Sequence, residues 1–270
     1  MKIICRILPL LLSLIALPVR SHELWIEPQL YQVEKGGEIA ASLKNGQNFE
    51  GIELGWFDGR IQMFDQLLRG KRDPIEGRPG DIPAVQGLKT KPGLVVLAYA
   101  SKPSTLTYET WDKFQAFYAH KDLGDIRTAH QERGLPDFPI KEVYTRFSKA
   151  LIGVGHAKGT DENMGLETEL IALANPYRDD VQNGFPVLLL YQGAPRVDAQ
   201  IELFDRAPDG TVRTTMHRTD AQGRALLPVF PGHEYLVDAV VLRVPAPDRA
   251  ERYNVQWESL WAALTFAIPD

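Results

Sequence analysis

Short apolar segments separated by turn-forming residues run through most of this sequence, and this rhythm constrains the fold more than any other feature. In the C-terminal part the segments read FPVLLLYQG, RVDAQIELFD, TVRTTMHRTD, GRALLPVF, EYLVDAVVLRV and SLWAALTFAIP. Turn signals stand between them, as at Asp209-Gly210 and Gln222-Gly223. Apolar runs of strand length with turns roughly every 8–12 residues are typical of antiparallel β-sandwiches and barrels. The sequence therefore predicts a mainly β fold.

The part of the chain that starts at residue 22 follows the same rhythm. The stretch LYQVEKGGEIAASLKNGQNFEG reads as two short strands, with one turn at residues 35–37 and another at Asn45-Gly46. The near-continuous apolar run LVVLAYAS, residues 94–101, is expected to be a strand that is buried on both faces. A second region of β structure is therefore predicted ahead of the C-terminal one.

A polar, glycine-rich stretch, GHAKGTDENMG at residues 155–165, is the best candidate for a domain boundary. It predicts two antiparallel β-sandwich domains, one over residues 22–165 and one over residues 166–270. The strand count of the second domain indicates a small immunoglobulin-like or transthyretin-like sandwich.

One stretch departs from this pattern of strand-length segments and turns. In TYETWDKFQAFYAHKDLGDIRTAHQERG, four residues recur at positions i, i+3, i+4 and i+7, the spacing of one helical face: Trp111, Phe114, Gln115 and Tyr118. Two glycines in this stretch act as stop signals. The pattern predicts one or two helices, at about 110–122 and 124–133, inserted into the first β domain.

The first 21 residues have the layout of a secretory signal peptide. Basic residues precede an apolar run, and Val19 and Ser21 offer the compact side chains that a signal peptidase reads. The run is shorter than the about 20 apolar residues of a membrane-spanning helix. Residues 1–21 are therefore predicted to be removed by cleavage after Ser21, with cleavage after Ala16 as the alternative. No second hydrophobic span follows, so the mature chain is expected to be soluble, without a membrane span.

Removal of this leader would leave an acidic chain without cysteine. The formal charge of the whole chain is −5, and the leader holds three basic residues and no acidic one, so the mature charge would be −8. Such a charge argues against a broad nucleic-acid surface, which needs clustered lysine and arginine. The single cysteine, Cys5, lies in the leader. An exported chain without disulfides fits the bacterial periplasm, where a larger core replaces the covalent links.

Cleavage after Ser21 would make His22 the first residue of the mature protein. Its α-amine, with a reference pKa of about 7.7–8.0, and its imidazole Nδ1 would then chelate one ion together. Nitrogen ligands of this kind suit Cu(II), Ni(II) or Zn(II), and a second histidine from the fold would complete the site. The other interpretation is that His22 simply begins a strand.

The other candidate ligands carry weaker signals. His120 and His130 lie in the helical stretch, too far apart for adjacent turns of one helix. His156 stands in a glycine-flanked loop near Asp161 and Glu162. A loop histidine beside carboxylates is either a metal ligand or an ordinary polar loop residue. No HExxH spacing, GxSxG elbow or phosphate-binding GxxxxGK[ST] motif occurs. No catalytic residue is predicted, and an enzyme is the least favoured class.

Several segments together resemble one family of exported bacterial proteins, domain-of-unknown-function family 4198. The likeness rests on HELWIEPQLYQVEKGGEIAASLKNGQNFEG, YTRFSKALIGVG, ELIALANPYRDDVQNGFPVLLLYQGAPRVDAQIELF, RTDAQGRALLPVFPGHEYLVDAV and SLWAALTFAIP, which run from residue 22 to the C-terminus. Members of this family are often described as periplasmic components of cobalt or nickel uptake systems. The segment TDAQGRALLPVFPGHEYLVDAV also resembles carboxypeptidase-regulatory-like sandwiches, which implies a transthyretin-like C-terminal domain.

The resemblance also implies a mature chain that begins with histidine and continues as an aromatic strand. His22-Glu23-Leu24-Trp25 matches that pattern. Some relatives begin with His-Xaa-His, whereas this chain has Leu24 at the third position. That difference weakens any terminal site built from two histidines.

The first hypothesis is a periplasmic protein that binds a divalent transition metal, Ni, Co or Cu, for uptake or storage, and hands it to a membrane metal transporter. His22 and Glu23 would be ligands, and one further histidine, His156, His120 or His130, would complete the site. The alternative is a non-catalytic β-sandwich module that binds an envelope protein or a glycan without metal.

Overall fold

The structure is a computed structural model and describes residues 22–270. The predicted leader, residues 1–21, lies outside the described residues. The described part contains eighteen strands and three helices. In chain order they are β1 (Glu23–Pro28), β2 (Gln32–Val33), β3 (Glu38–Gln47), β4 (Glu50–Leu54), β5 (Ile61–Leu68), β6 (Lys71–Pro74), β7 (Val85–Lys89), β8 (Gly93–Ser101), β9 (Ser104–Tyr108), α1 (Trp111–His120), α2 (Ile126–Glu132), β10 (Ile140–Val154), β11 (Thr168–Ala172), β12 (Phe185–Tyr191), β13 (Ala194–Pro195), β14 (Gln200–Arg206), β15 (Val212–Arg218), β16 (Arg224–Leu227), β17 (Glu234–Arg243), α3 (Pro247–Tyr253) and β18 (Trp257–Ala267).

A ten-stranded mixed sheet forms the centre of the molecule. Eight of its strands follow the order β15-β14-β17-β18-β10-β8-β5-β6, and the short strands β2 and β9 also pair with β10. β10 and β18 run parallel, with Val143 opposite Glu258, whereas β8 and β17 are antiparallel to them. Because β10 is fifteen residues long, it pairs with β9 along its first residues and with β8 along its last.

Two smaller sheets cover the two faces of the ten-stranded sheet. One contains β1, β3, β4 and β7, and the other contains β11, β12, β13 and β16. Successive side chains of a strand point to opposite faces, and β10 follows this rule. Leu151 packs in one core with Leu189 of the second small sheet, whereas Ile152 packs in another core with Leu43 of the first. The predicted mainly β, sandwich-type fold is confirmed.

Helices α1 and α2 confirm the predicted helical insertion. The side chain of Thr110 accepts a hydrogen bond from the Lys113 N–H and caps α1, and Asp125 caps α2 through the Thr128 N–H. Gln115, which was expected on the buried face of α1, is exposed. The buried face is fully aromatic: Trp111, Phe114, Phe117 and Tyr118.

This aromatic face docks α1 on the ten-stranded sheet. It shares one core with Trp257 and Trp261 of β18. The third helix, α3, was not predicted; none of its residues is buried, so it lacks the apolar periodicity that sequence patterns detect. None of the helices within residues 22–270 is long and apolar enough to cross a membrane.

The first hairpin corrects one predicted turn. Asn45 and Gly46 were expected to turn the chain, but both lie inside β3, which continues to Gln47. The turn falls at Asn48 and Phe49, which both have positive φ, as a two-residue hairpin loop requires. Gly46 instead allows the backbones of β3 and β4 to approach closely, because a Cβ on it would lie 1.9 Å from a backbone oxygen of β4.

The ten-stranded sheet contains strands from both sides of the predicted domain boundary. Strands β2, β5, β6, β8, β9 and β10 precede residues 155–165, and β14, β15, β17 and β18 follow them. Residues 155–165 themselves contain no strand or helix. The division into domains over 22–165 and 166–270 remains a prediction.

Candidate functional site

Three buried carboxylates surround the ammonium group of Lys121. Lys121 Nζ lies 3.1 Å from Glu23 Oε1, 2.9 Å from Glu202 Oε2 and 2.8 Å from Asp238 Oδ2. One oxygen of each carboxylate lies within 4.8 Å of the other two. All four side chains are buried. These four residues are called the acidic cluster below.

Each member of the acidic cluster is placed by a different element. Glu23 is the first residue of β1. Glu202 on β14 and Asp238 on β17 lie directly opposite each other in the antiparallel pair. Lys121 is the C-cap of α1 and follows His120, the last helical residue. The end of one helix therefore delivers an imidazole and an ammonium group onto two acidic strand positions, at the helix terminus that favours cations.

His120 lies on the solvent side of the cluster. Its Nε2 is 3.0 Å from Glu202 Oε1, and its side chain is 32% exposed whereas that of Glu202 is 2% exposed. Within residues 22–270, neither Glu202 Oε1 nor Asp238 Oδ1 meets the geometric criteria for a hydrogen bond, although Glu202 Oε1 is in ion-pair contact with His120. Buried polar atoms normally have a hydrogen-bond partner. Asp238 Oδ1 therefore has unused acceptor capacity within the described residues, whereas Glu202 Oε1 faces the imidazole of His120.

Burial and mutual charge shift the pKa values of the cluster. Burial raises the pKa of Glu23 to about 7, against the opposing attraction of Lys121. Burial also raises the pKa of Asp238, again partly offset by Lys121. For Glu202, burial acts in the same direction, but His120 and Lys121 together hold its pKa below the ordinary value.

The same forces keep the lysine charged. Burial disfavours the ammonium form of Lys121, yet Asp238, Glu23 and Glu202 hold its pKa above the ordinary value. The cluster therefore combines a lysine whose pKa is raised with three carboxyl groups, of which Glu202 has a lowered pKa and Glu23 and Asp238 have raised ones.

A cleft of about 230 Å³ opens at the cluster. Its lining includes the carboxylates of Glu23 and Glu202, the imidazole of His120 and the half-exposed thioether of Met216. Carboxylate, imidazole and thioether groups are all metal ligands, and imidazole favours late transition metals. The cleft thus gives a cation from solvent access to oxygen, nitrogen and sulfur donors.

Of the predicted ligands, the structure brings Glu23 and His120 together through their shared neighbour Glu202. His22 precedes Glu23 in the chain, but strand residues alternate between faces. His22 accordingly lines a different cavity, together with Leu24. The side chains of His22 and Glu23 lie on opposite sides of the strand, so a joint site would have to use the α-amine of His22.

His130 lies in the aromatic core under the helices. Its Nδ1 accepts a hydrogen bond from Trp257 Nε1 at 3.1 Å, and its Nε2 lies 3.0 Å from the carbonyl oxygen of Pro136. The side chain is fully buried, and both ring nitrogens serve contacts within the protein. His130 therefore has the geometry of a core histidine.

His156 is exposed in the loop that follows β10. Its Nδ1 accepts a hydrogen bond from the Lys158 N–H at 3.0 Å, and its Nε2 lies 3.4 Å from the guanidinium of Arg69. His156 is not among the residues that line the cleft.

Sequence reasoning missed Glu202, Asp238 and Lys121. Two of them carried a usable signal, because Glu202 interrupts the apolar segment AQIELF and Asp238 interrupts EYLVDAVV. A charged residue inside an apolar strand is costly unless it is paired. Such interruptions mark positions where the fold must supply a partner, although they do not reveal which one.

Comparisons with known proteins identify a family for this chain and no relative of known function. No curated protein matches the chain. One solved structure, described as the crystal structure of a tetra-tandem repeat in the extending region of a large adhesion protein, aligns with 91% of this chain and 49% of that chain. It is 9% identical with a TM-score of 0.21, too low to support any inference, and the chain spans about half the length of that protein.

The family match covers most of the chain. The model of a domain of unknown function, DUF4198, matches residues 19–243, a range that includes β1, α1, β14 and β17 and hence every member of the acidic cluster. By this match the chain belongs to the DUF4198 family.

Proposed function

We propose that this protein is exported to the periplasm and binds a divalent transition metal, Ni, Co or Cu, at the acidic cluster. His120, Glu202 and Glu23 are the proposed side-chain ligands. The observation that carries the proposal is the placement of His120 against Glu202 at the open side of a buried excess of carboxylates.

The charge balance of the cluster favours a cation. Three carboxylates face one ammonium group, and a buried charge without a counter-charge is strongly unfavourable. A proton held by Glu23 relieves part of the excess, since the pKa of Glu23 is raised to about 7. A divalent ion would relieve more of it and displace that proton, as metal binding to protonated ligands does.

The donor set indicates the class of ion. An imidazole nitrogen with carboxylate oxygens suits Ni, Co, Cu or Zn, and the thioether of Met216 at the same cleft adds a soft donor that favours copper. The α-amine of His22 would add a second nitrogen if the leader is cut after Ser21. Lys121 would remain as the counter-charge for the inner carboxylates.

The proposed role is carriage or storage of the ion. A ligand set of few groups at an open cleft allows release, which a protein that passes ions to a membrane metal transporter needs. The signal-peptide layout of residues 1–21 supports export.

The test is isothermal titration calorimetry of the exported protein, freed of metal by EDTA, with Ni, Co, Cu and Zn chlorides. We expect one ion per chain, and His120→Ala should weaken binding by about tenfold or more because it removes one ligand. His156→Ala is the matched control and should leave the affinity unchanged, because His156 lies outside the cleft.

Two outcomes would contradict the metal proposal. One is the absence of any binding heat together with an unchanged unfolding temperature in all four metals, because an ion that binds the folded protein must stabilise it. That result would favour the metal-free envelope module. The other is an equal effect of the His120 and His156 substitutions.

A second comparison isolates the amino terminus. The intact mass of the exported protein shows where the leader is cut, and a protein with one extra residue before His22 has no α-amine at that position. If His22 is a ligand through its amine, the extra residue weakens binding. Equal affinities would remove His22 from the site and leave His120, Glu202 and Glu23.

A further inference from the structure

A second and larger cavity, of about 550 Å³, lies on the other side of β1. Its walls come from the first small sheet, from β8, β9 and β10, from α1 and from β18. It has the size of sites that enclose small organic molecules. This space is called the basic cavity below.

The charges around the basic cavity oppose the charge of the chain. Four basic side chains line it, those of Arg60, Lys102, Lys113 and Arg146, and one acidic side chain, that of Glu142. The chain as a whole has a formal charge of −5. A local excess of cations in an acidic protein focuses the field on anions at this point.

Arg146 is the innermost of these cations. Its guanidinium carbon lies 4.5 Å from the ring centre of Trp261 and 5.2 Å from that of Tyr144. Its Nη1 is buried and has no hydrogen-bond partner in the described part of the chain. An arginine offers five N–H donors in a planar fork that matches a carboxylate. Stacking on rings satisfies none of those donors.

Glu142 attracts Arg146 electrostatically, but within residues 22–270 the two side chains form no hydrogen bond or close ion pair. Its Oε2 accepts a hydrogen bond from the hydroxyl of Tyr108 at 2.7 Å, and its Oε1 accepts one from Ser259. Burial raises the pKa of Glu142, although these two donors oppose the shift. The carboxyl group is therefore engaged with hydroxyl groups, and the guanidinium is left for another partner.

The outer cations are also available to a ligand. Lys102 is exposed and its Nζ donates to a backbone carbonyl, that of Asp58, at 2.8 Å. Arg60 stacks on Phe57. Within residues 22–270, Lys113 is the one basic residue of the cavity with a carboxylate in ion-pair contact, Glu109 at 2.9 Å.

The rest of the wall is aromatic and aliphatic. Tyr99, Phe117, Tyr144 and Trp261 contribute rings, and Phe117 stacks on Trp261 with centroids 5.6 Å apart. Ring faces offer large apolar contact areas to a flat molecule. Tyr99, Phe117 and Trp261 are mostly covered by neighbouring side chains, whereas Leu106 in the same wall is 44% exposed and offers apolar surface to a ligand.

We infer that the basic cavity binds a small organic anion, whose carboxylate pairs with Arg146 and whose apolar body packs against the apolar wall at Leu106 and Tyr144. Lys102 at the edge of the cavity attracts the same charge. This cavity lies on the other side of β1 from the acidic cluster, although the charge of Arg146 also attracts Asp238 and Glu23. Binding of the anion does not depend on a metal ion.

The test uses indole-3-acetate and benzoate as probes, with indole-3-acetamide and benzamide as neutral partners of the same shape. Calorimetry is performed in EDTA. We expect at least one of the two acids to bind with a Kd below about 1 mM and its amide to bind at least about tenfold more weakly. Arg146→Met should weaken binding of the acid by about tenfold or more, because it removes a charged hydrogen-bond donor.

Arg127→Met is the matched control. Arg127 also stacks on a tryptophan, with its guanidinium carbon 4.4 Å from the ring centre of Trp111, but it lies outside the basic cavity. This variant should bind the acid as the unchanged protein does. If Arg146→Met fails to fold, Lys102→Met gives the second test, since Lys102 is exposed. This substitution should lower the affinity for the acid and leave the affinity for the amide unchanged.

Four results would overturn the inference, and the first three concern the acids, the amides and the variants. They are equal affinities for an acid and its amide, no binding of either acid at about 1 mM, and wild-type affinity in the folded Arg146 or Lys102 variant. Binding that appears only after a transition metal is added would also overturn it, because the anion would then be held by the ion. None of these outcomes bears on His120, so the metal proposal is tested separately.

Discussion

At the scale of single residues, burial decides the chemistry of the acidic cluster. Glu23 and Glu202 are both glutamates in contact with Lys121, yet the pKa of Glu23 is raised to about 7 and that of Glu202 is lowered. The difference arises because Glu202 also contacts His120, whereas burial dominates at Glu23. Two identical side chains in one cluster therefore have their pKa values shifted in opposite directions.

Glu23→Gln should change how stability depends on pH. The folded pKa of Glu23 lies above its unfolded value, so the folded state binds the extra proton, and the free energy of unfolding falls as pH rises from about 4.5 to about 7. Glutamine cannot ionise and avoids this loss. The variant should gain about 3 kcal/mol relative to the unchanged protein between pH 4.5 and pH 8, measured by urea unfolding in EDTA.

Glu50→Gln is the control for this measurement. Glu50 is exposed at the start of β4, and its replacement should leave the pH profile of stability as it is. A difference between Glu23→Gln and the unchanged protein that stays constant from pH 4.5 to 8 would contradict the predicted role of Glu23.

At the scale of elements, the hairpin of β3 and β4 and the end of α1 position both sites. The two-residue turn at Asn48 and Phe49 brings Asn48 to the cleft and leaves Asn45 at the basic cavity. Helix α1 contributes His120 to the first site and Phe117 to the second. One hairpin and one helix therefore supply walls to both.

Gly46→Ala should destabilise the protein through this hairpin. The added Cβ would lie 1.9 Å from the backbone oxygen of Glu50, so β3 and β4 would have to separate, at a cost of about 1–3 kcal/mol. Gly59→Ala is the control, because its Cβ would meet nothing within 4 Å; its effect should be within about 0.5 kcal/mol. Equal unfolding midpoints in urea for the two variants would contradict the assigned register.

At the scale of the whole molecule, the parallel pair of β10 and β18 joins the two halves of the chain. The predicted boundary segment, residues 155–165, also forms a salt bridge with the ten-stranded sheet. Its Asp161 lies 2.6 Å from the Nζ of Lys149 on β10. The same ammonium group contacts Glu169 on β11 at 3.0 Å. All three side chains are buried, so the polar stretch is held against both flanking strands.

Residues 22–270 are therefore expected to unfold in one cooperative transition. Neither half of the ten-stranded sheet can leave without exposing the edge of β10 or β18. Differential scanning calorimetry should give a calorimetric enthalpy equal to the van't Hoff enthalpy. Two separate transitions would instead support independent domains over 22–165 and 166–270.

Much of the local structure follows from the sequence alone, because burial leaves a periodic trace in the chain. The strand-like segments, the fully buried run at residues 94–101 and the helices over α1 and α2 carry that trace. The prediction of a turn at Asn45-Gly46 was wrong, because a glycine that lets two strands approach closely looks the same in sequence as a turn glycine. Helix α3 was missed because it buries no side chain.

The two sites were decided by tertiary structure. Glu23, Lys121, Glu202 and Asp238 are far apart in the chain, and only the packing of β1 and α1 against the ten-stranded sheet brings them within ion-pair distance. The sequence marked Glu23 and His120 as metal-ligating types, and it could not show that His22 points away from them. Contacts and burial determine the pKa shifts and decide which hydrogen-bond donors lack a partner. Contacts and burial depend in turn on the order of the strands in the sheet, which local periodicity does not encode.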